Sequence, residues 1–587
     1  MRFFPSFANW RPGILQALTR FPWNILCGVT GAGCAIVSLH FSKNEALVGQ
    51  CVRLAMTVAL GMPLFFSLRM LRERQEQLRR WPIEIISLPL LAWWFFALPP
   101  RPFDGPGIIW IRWLLLLAAL HFFVAVSAYL WLAENSGFWQ FNRKLFLRFC
   151  LATLYTGVLV AGLELALLSA DKLFQLKIEK AYGDLFFLMV GVFHPAFFLA
   201  GVPADFPALN SDTEYPRGLK AFTQFALAPL VAVYTAILYA YAIKIVLARS
   251  WPHGWVALPV LLLSGIGIFA FLLLSPLRTR PEENWGIWFT RNFPRALAPL
   301  SILLLLSVHL RVREYGVTEQ RYLGIVAAVW TLTWAFVFIL RRNAGIRWVP
   351  FSLALICLFA AFGPWSAGAV SRASQLGRVR RVLQQHGLWA DNHAKVADRA
   401  IDLPEKESTD LQSTLSYLIE THGGTTIKNM FEQAVPNRDW AKLTRWSSAS
   451  EIIDALKIHK AGTGFHSVYR KSNAAVNIEG FRHLCRIENY GRSDWQSSTF
   501  RCDGVGIGLE DGILKIVVDD DKIPQPIPLD NLFNGFLDSD SEVPDEKLTV
   551  DYQHSERVFR LIFNTLLFSK KPEGSRITSC SFYLLEK

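Results

Sequence analysis

Apolar residues fall along this chain in two textures. Up to about residue 368, runs of about 17–28 mostly apolar residues recur, each long enough to cross the hydrocarbon core of a bilayer. Beyond that point no run is so long. Eleven such segments are read at about 21–40, 46–68, 82–98, 108–132, 145–168, 182–201, 221–247, 254–276, 293–310, 322–340 and 348–367. The first follows Arg2, Arg11 and Arg20, and no small-x-small cleavage site follows its apolar core, so a retained helix is expected. The third is the weakest: it is short, contains Glu84 and ends at Pro99-Pro100. If it turned back without crossing, everything downstream would invert.

After residue 370 the periodicities are those of a small soluble fold. Ala373–Leu388 is amphipathic, Thr409–Thr421 ends at Gly423-Gly424, and a helix opening at Ser448 with Glu451 as a capping box runs to about His459. From about 465 short β-type runs take over, at Ala474–Ile478, His483–Ile487, Ile513–Val518, Leu548–Tyr552, Val558–Phe568 and Ser579–Leu585. The expected fold is a polytopic α-helical membrane bundle of about eleven transmembrane helices (1–370) with a C-terminal α+β soluble domain. Its helical segment is 371–460, and its β-rich, mostly antiparallel part is 461–587.

Composition agrees and adds orientation. Of 587 residues 52% are hydrophobic and only 18% charged, with 44 Phe and 21 Trp, whereas a soluble chain carries about 25% charged residues. The net charge of +13 suggests nucleic acid until it is divided. Residues 371–587 hold about 28 Lys and Arg against about 30 Asp and Glu, so the basic excess lies wholly among the apolar spans. No nucleic-acid partner is expected. With the N-terminus inside, loops on that side carry about 20 Lys and Arg against about 9 on the other. They include Arg69, Arg72, Arg74, Arg79, Arg80, Arg143, Lys144, Arg148, Arg278, Arg291, Arg295, Arg341 and Arg347. Eleven spans then put the C-terminal domain on the extracytoplasmic, periplasmic side of a bacterial inner membrane. Of eight cysteines, none forms a CxxC pair. Cys485 and Cys502 flank a hairpin and could pair in an oxidising compartment.

Soluble catalytic signatures are missing: there is no P-loop, HExxH or GxSxG. Gly504-Val-Gly-Ile-Gly508 lacks a following helix, Asp519-Asp520-Asp521 lacks calcium-loop spacing, and His422-Gly-Gly424 reads as a helix end with its glycine stop. No cofactor or metal is expected. The informative residues are ionisable groups inside spans, each costing about 2.5–3.5 kcal/mol at mid-bilayer on insertion scales. Arg53, Arg112, Glu164 and Lys244 share one depth, in the outer halves of four helices, and suggest a polar outward-facing vestibule unless each snorkels to the headgroups. On the seventh span Tyr234, Tyr241 and Lys244 make a strip one turn beyond Pro229, fit either to line a cavity or to sit at the interface. His121 and His194 are proton relays or satisfied packing histidines.

Between the ninth and tenth spans the chain reads Arg311-Val-Arg-Glu-Tyr-Gly-Val-Thr-Glu-Gln-Arg-Tyr322, then Trp330. This resembles the YG-x-T-x-x-RY…W hallmark of an uncharacterised bacterial multi-pass membrane family, domain of unknown function four-one-five-three. Leu238–Lys244 with Trp251-Pro-His-Gly-Trp255, and Ser374-Gln375 with Arg378 and Gly387-Leu388, resemble adjoining parts of that family. The resemblance implies a membrane fold and no chemistry. Arg311, Tyr315, Thr318, Glu319 and Arg321 fall on the side of the vestibule, where Arg can grip phosphate or carboxylate.

Three functional classes follow. The first is transport, export or handling of an anionic envelope compound, a lipid headgroup or glycan precursor. Without an ATPase motif it would need an ion gradient or a partner subunit. The second is a membrane-bound glycosyl or lipid-group transferase, for which Glu45 and Asp104 are the outer-loop acids. The third is an envelope sensor or scaffold. An enzyme is the less favoured class, and membrane lipids are partners in all three.

Overall fold

The computed structural model describes residues 10–587 apart from 133, 177, 249–256, 280–283, 342–343, 400, 437, 444, 461–463, 471–477, 490–499, 503–504, 511–512, 519–524, 528, 530–531, 533–541, 544–547, 555–556 and 572–573. It divides into two compact units, the first comprising 1–381, 417–429 and 439–445, the second 382–416, 430–438 and 446–587. The membrane-type residues and two later excursions of the chain thus form one body.

Helices of the first unit are α1 (Trp10–Arg20), α2 (Pro22–His40), α3 (Glu45–Arg74), α4 (Ile83–Ala97), α5 (Ile108–Ser127), α6 (Asn135–Phe174), α7 (Glu179–Leu199), α8 (Arg217–Ala248), α9 (Ala257–Arg278), α10 (Asn284–Tyr315), α11 (Glu319–Leu340), α12 (Trp348–Ala361) and α13 (Ala367–Gln385), whose last residues enter the second unit. Among the described residues nine are long and apolar enough to cross a membrane, while α4 and α12 are shorter. Together they coincide with the eleven apolar runs, so the chain is a helical membrane bundle with a C-terminal α+β region. Local sequence explains several ends. The Asn44 side chain accepts from the Leu47 amide to cap α3, and Pro22 opens α2 at a position that needs no amide donor. α7 and α8 each carry a five-residue π segment, Met189–Phe193 and Thr223–Leu227.

The two short helices span about 22 Å and 21 Å at 1.5 Å per residue, under the roughly 30 Å of a hydrocarbon core, and each runs along a longer neighbour. α4 runs antiparallel to α3: Glu84 lies 3.2 Å from Arg72 at one end, and the Phe95 carbonyl accepts from Arg53 at 2.8 Å near the other. α12 runs back along α11. Trp348 stacks on Phe338 at 5.9 Å, Ser352 accepts from Trp330 Nε1 at 3.0 Å, and the Trp365 carbonyl accepts from the Tyr322 hydroxyl at 2.7 Å.

The unit therefore has two ends. At the basic end Arg20 bonds Glu73 and the Val202 and Pro203 carbonyls, Arg74 bonds Glu134 and the Ala128 carbonyl, and Arg143 pairs with Asp212. At the motif end His40 meets Asp184 at 2.9 Å and the Gly107 amide donates to the Glu420 carbonyl at 3.0 Å.

In the second unit, Arg557–Lys571 is the axis of a six-stranded sheet. One edge pairs antiparallel with Gly574–Glu586, which in turn pairs with His483–Asn489. Its other edge takes Thr549–His554 along the first half and Gly464–Arg470 along the second, with Glu542–Val543 beyond. Alternate residues Phe559, Leu561 and Phe563 point inward, as a period of two requires, to a core with Phe582 and Leu584. A four-stranded antiparallel sheet holds Phe500–Cys502, Val505–Glu510, Ile513–Val518 and Gln525–Pro526. Five of the six expected strands are present. Residues 474–477 of the sixth lie outside the described residues, as do Gly504 and Asp519–Asp521. The helix α14 (Glu405–His422) covers the run expected at 409–421, and α15 (Arg445–Ala455) begins three residues before Ser448. Ser448 is thus interior to α15 rather than at its N-cap, and is 3% exposed.

Candidate functional site

The turn joining α10 to α11 carries the sequence motif. Gly316 has φ of +72°, a left-handed conformation that glycine adopts without strain and that breaks the helix after Tyr315. Thr318 then takes an extended conformation at the N-cap of α11, its side chain making no cap bond. The turn is stitched to α13. Ser374 Oγ accepts from the Val317 amide at 2.9 Å, and Gln375 Nε2 donates to the Tyr315 and Val317 carbonyls at 3.1 and 2.9 Å. Arg378 and Arg321 converge on the Tyr315 carbonyl at 2.9 and 3.1 Å, and Arg321 also reaches the Gly316 carbonyl and lies 5.3 Å from the Tyr315 ring centroid.

Glu319 opens α11 and is 3% exposed. Its carboxylate accepts from Ser371 and Tyr417, each at 2.5 Å, and lies 3.1 Å from His422 Nε2. Ser371 Oγ also lies 3.3 Å from that nitrogen. A serine, histidine and glutamate in contact invite comparison with a nucleophile relay, but the order is wrong. In a relay the imidazole stands between carboxylate and hydroxyl, whereas here Ser371 donates directly to Glu319. Ser371 is also wholly buried. The cluster is a buried polar knot whose members satisfy one another. Burial and then the bond to Glu319 push the Tyr417 hydroxyl well above the usual phenol range, fixing it as a donor.

Residues singled out from sequence fall in separate places. Arg53 is buried, donating to the Phe95 carbonyl with its guanidinium 4.4 Å from the Phe95 ring centroid. Arg112 lies 5.8 Å from the Phe362 ring centroid, and its Nε is buried without a hydrogen-bond partner among the described residues. Both border one aromatic cluster built by α3, α4, α5 and Phe362. Glu164 on α6 is half-buried near Tyr182 of α7. Lys244 is exposed on α8 and Tyr234 is 38% exposed, while Tyr241 packs against the core. The tyrosine of this helix that ties it down is Tyr239, donating to the Ala296 carbonyl at 2.9 Å. All four charges lie toward the motif end, and no described interaction links Glu164 or Lys244 to Arg53 or Arg112. Arg311 and Tyr315 are exposed.

Glu45 pairs with Arg101 at 2.7 Å and Asp104 is exposed in the turn Pro102–Asp104. His121 bonds the Leu117 carbonyl, and His194 meets Thr153 and the edge of Phe149. Cys485 is disulfide-bonded, but the side chain of Cys502 lies outside the described residues, as do Trp251–Trp255. Among the described residues no cluster of His, Cys, Asp or Glu could hold a metal. Sequence reasoning missed Ser371, Tyr417 and His422 as partners of Glu319. The signal was present in the polar residues on the α13 face that Leu376, Val379 and Leu383 leave, and in a histidine beside a helix-stopping glycine.

A model of the family described as Domain of unknown function (DUF4153) matches residues 29–393. The match includes the motif turn with Ser371, Gln375 and Arg378, and ends before Tyr417 and His422. An uncharacterised protein of Pasteurella multocida (strain Pm70) is 28% identical over 450 residues, covering 75% of this chain and 74% of that one. No solved structure matches.

Proposed function

The chain belongs to the DUF4153 family, and from that premise we propose that this member is an envelope sensor or scaffold of the bacterial inner membrane. In this reading the bundle is an anchor and the YGxTxxRY turn is the clasp that fixes residues 417–423 to it. One observation carries the proposal: Glu319, the acidic residue of the motif, is consumed by Ser371, Tyr417 and His422 and is closed to solvent. A carboxylate serving transport or group transfer has to meet solvent or substrate. Helix α14 starts in the second unit and ends in the first, with the change at Tyr417. A strain on the soluble domain would therefore reach Glu319 through continuous helix.

A second reading has its own support. Arg321 lies close enough to Arg311 and to Arg378 to be repelled by each, and Arg311 and Tyr315 are exposed. An anionic envelope compound would relieve that repulsion, so handling or transport of such a compound is the alternative. The transferase class draws less support, because Glu45 is already paired with Arg101.

Complementation separates the readings. In a strain deleted for this protein, Glu319→Gln and Tyr417→Phe should fail to restore the deletion phenotype, while Arg311→Gln restores it at equal protein level. Loss of function in Arg311→Gln with Glu319→Gln active would replace the clasp by the ligand reading.

A further inference from the structure

Two cavities lie side by side at the basic end of the bundle and share Gly345. The larger, about 770 Å³, is walled by Tyr129, Leu130, Trp131, Trp348 and Phe351, with Arg347 as its one charged residue. The smaller, about 390 Å³, mixes polar walls, Gln140, Thr213, Ser275 and Arg278 among them, with the apolar Trp139 and Ile346. A ligand filling both would be apolar at one end and more polar at the other. The larger volume falls in the range of about 300–1,000 Å³ usual for ligand sites.

Two walls carry polar atoms with no partner among the described residues. Gln140 is 2% exposed, and its Nε2 donates to the Asp212 and Glu214 carbonyls at 3.0 and 3.1 Å. That fixes the amide and leaves Oε1 as a buried acceptor without a donor. Trp348 Nε1 is a buried donor without an acceptor. Leaving such groups unpaired is costly, so each asks for a complementary group. Arg347 makes one described bond, to the Tyr129 carbonyl at 3.5 Å, the outer limit of a hydrogen bond. The nearby acid Asp212 is engaged by Arg143 and Lys144.

We propose that these two neighbouring cavities together bind an anionic phospholipid whose headgroup carries a hydroxyl. Its phosphodiester accepts from Trp348 Nε1 and faces Arg347, its headgroup hydroxyl donates to Gln140 Oε1, and its hydrocarbon lies against Trp131 and Phe351. A zwitterionic ethanolamine headgroup also offers a donor to Gln140, but it brings a cation to an end already crowded with arginine. The site lies at the opposite end of the unit from the motif and stands independently of the clasp.

The test uses full-length protein stripped of lipid in detergent, with thermal unfolding and native mass spectrometry against dioleoyl phosphatidylglycerol, phosphatidylethanolamine and phosphatidylcholine. Phosphatidylglycerol should raise the melting temperature and remain bound, with the other two weaker by about tenfold or more. Free glycerophosphoglycerol should bind poorly, because the apolar chamber stays unfilled. Arg347→Gln and Trp348→Phe should each lose about fivefold to tenfold in phosphatidylglycerol affinity, the latter keeping an aromatic ring while removing the Nε1 donor and the pyrrole part of the indole. Should Arg347→Gln fail to fold, Trp348→Phe carries the test alone. Equal binding of all three lipids, no lipid binding, tight binding of the free headgroup, or wild-type affinity in Trp348→Phe would each overturn the proposal.

Discussion

At the scale of single residues, Glu319 shows how burial turns a motif acid into a structural one. A buried carboxylate is tolerated only when its lone pairs are met, and here Ser371, Tyr417 and His422 meet them. Replacing Glu319 by Ala strands three buried donors and should cost about 3–5 kcal/mol, as for a buried pair deprived of one partner. Tyr417 adds a sign that can be checked. Its folded-state pKa lies above the unfolded value near 10, so its contribution is complete below about pH 10. That contribution is lost as pH rises through the folded value. Wild-type protein should lose stability between about pH 10 and 11 more steeply than Tyr417→Phe in thermal unfolding; parallel profiles would remove Tyr417 from the knot. The sequence exposed Glu319 as unusual and gave no partner for it. Its partners lie 52 to 103 positions further on, at a separation no local pattern encodes.

At the scale of elements, what the structure adds to each short apolar helix is the longer helix it runs along. Both α4 and α12 fall short of a hydrocarbon core, and the structure lays α4 antiparallel along α3 and α12 back along α11. Close approach between helices is equally specific. A Cβ on Gly28 of α2 would collide with the Gly191 carbonyl in the π segment of α7, so backbone meets backbone there. Gly28→Val should therefore destabilise by about 1–3 kcal/mol, as overpacking does. Gly33→Val, where a Cβ meets nothing within 4 Å, should be near neutral, with both read as detergent-resistant folded protein. The apolar runs located every one of these helices to within a few residues at most ends. The arrangement of Arg53, Arg112, Glu164 and Lys244 was less legible: shared depth is a one-dimensional property, and helix rotation and neighbours place them in different surroundings.

At the scale of the whole chain, loop charge predicts orientation, and a count of eleven crossings would set its parity. Arg20, Arg74, Arg143, Arg278 and Arg347 gather at one end of the first unit, though several are engaged with carboxylates, carbonyls or aromatic rings. With that end cytoplasmic, a reporter fused after residue 205 should be active only in the cytoplasm and one fused after residue 370 only outside it. The same compartment for both fusions would break the parity. Hydrophobic periodicity, run length and charge asymmetry are local or additive along the chain. For that reason the sequence by itself determined a membrane bundle with an α+β region after it, and the family. Whether Glu319 faces a ligand or its own chain, which neighbour a short helix runs along, and where unpaired groups such as Gln140 Oε1 and Trp348 Nε1 occur depend on contacts between residues far apart in sequence. Only tertiary packing sets those contacts, because it alone decides which polar groups are closed off together from water and which are left without a partner.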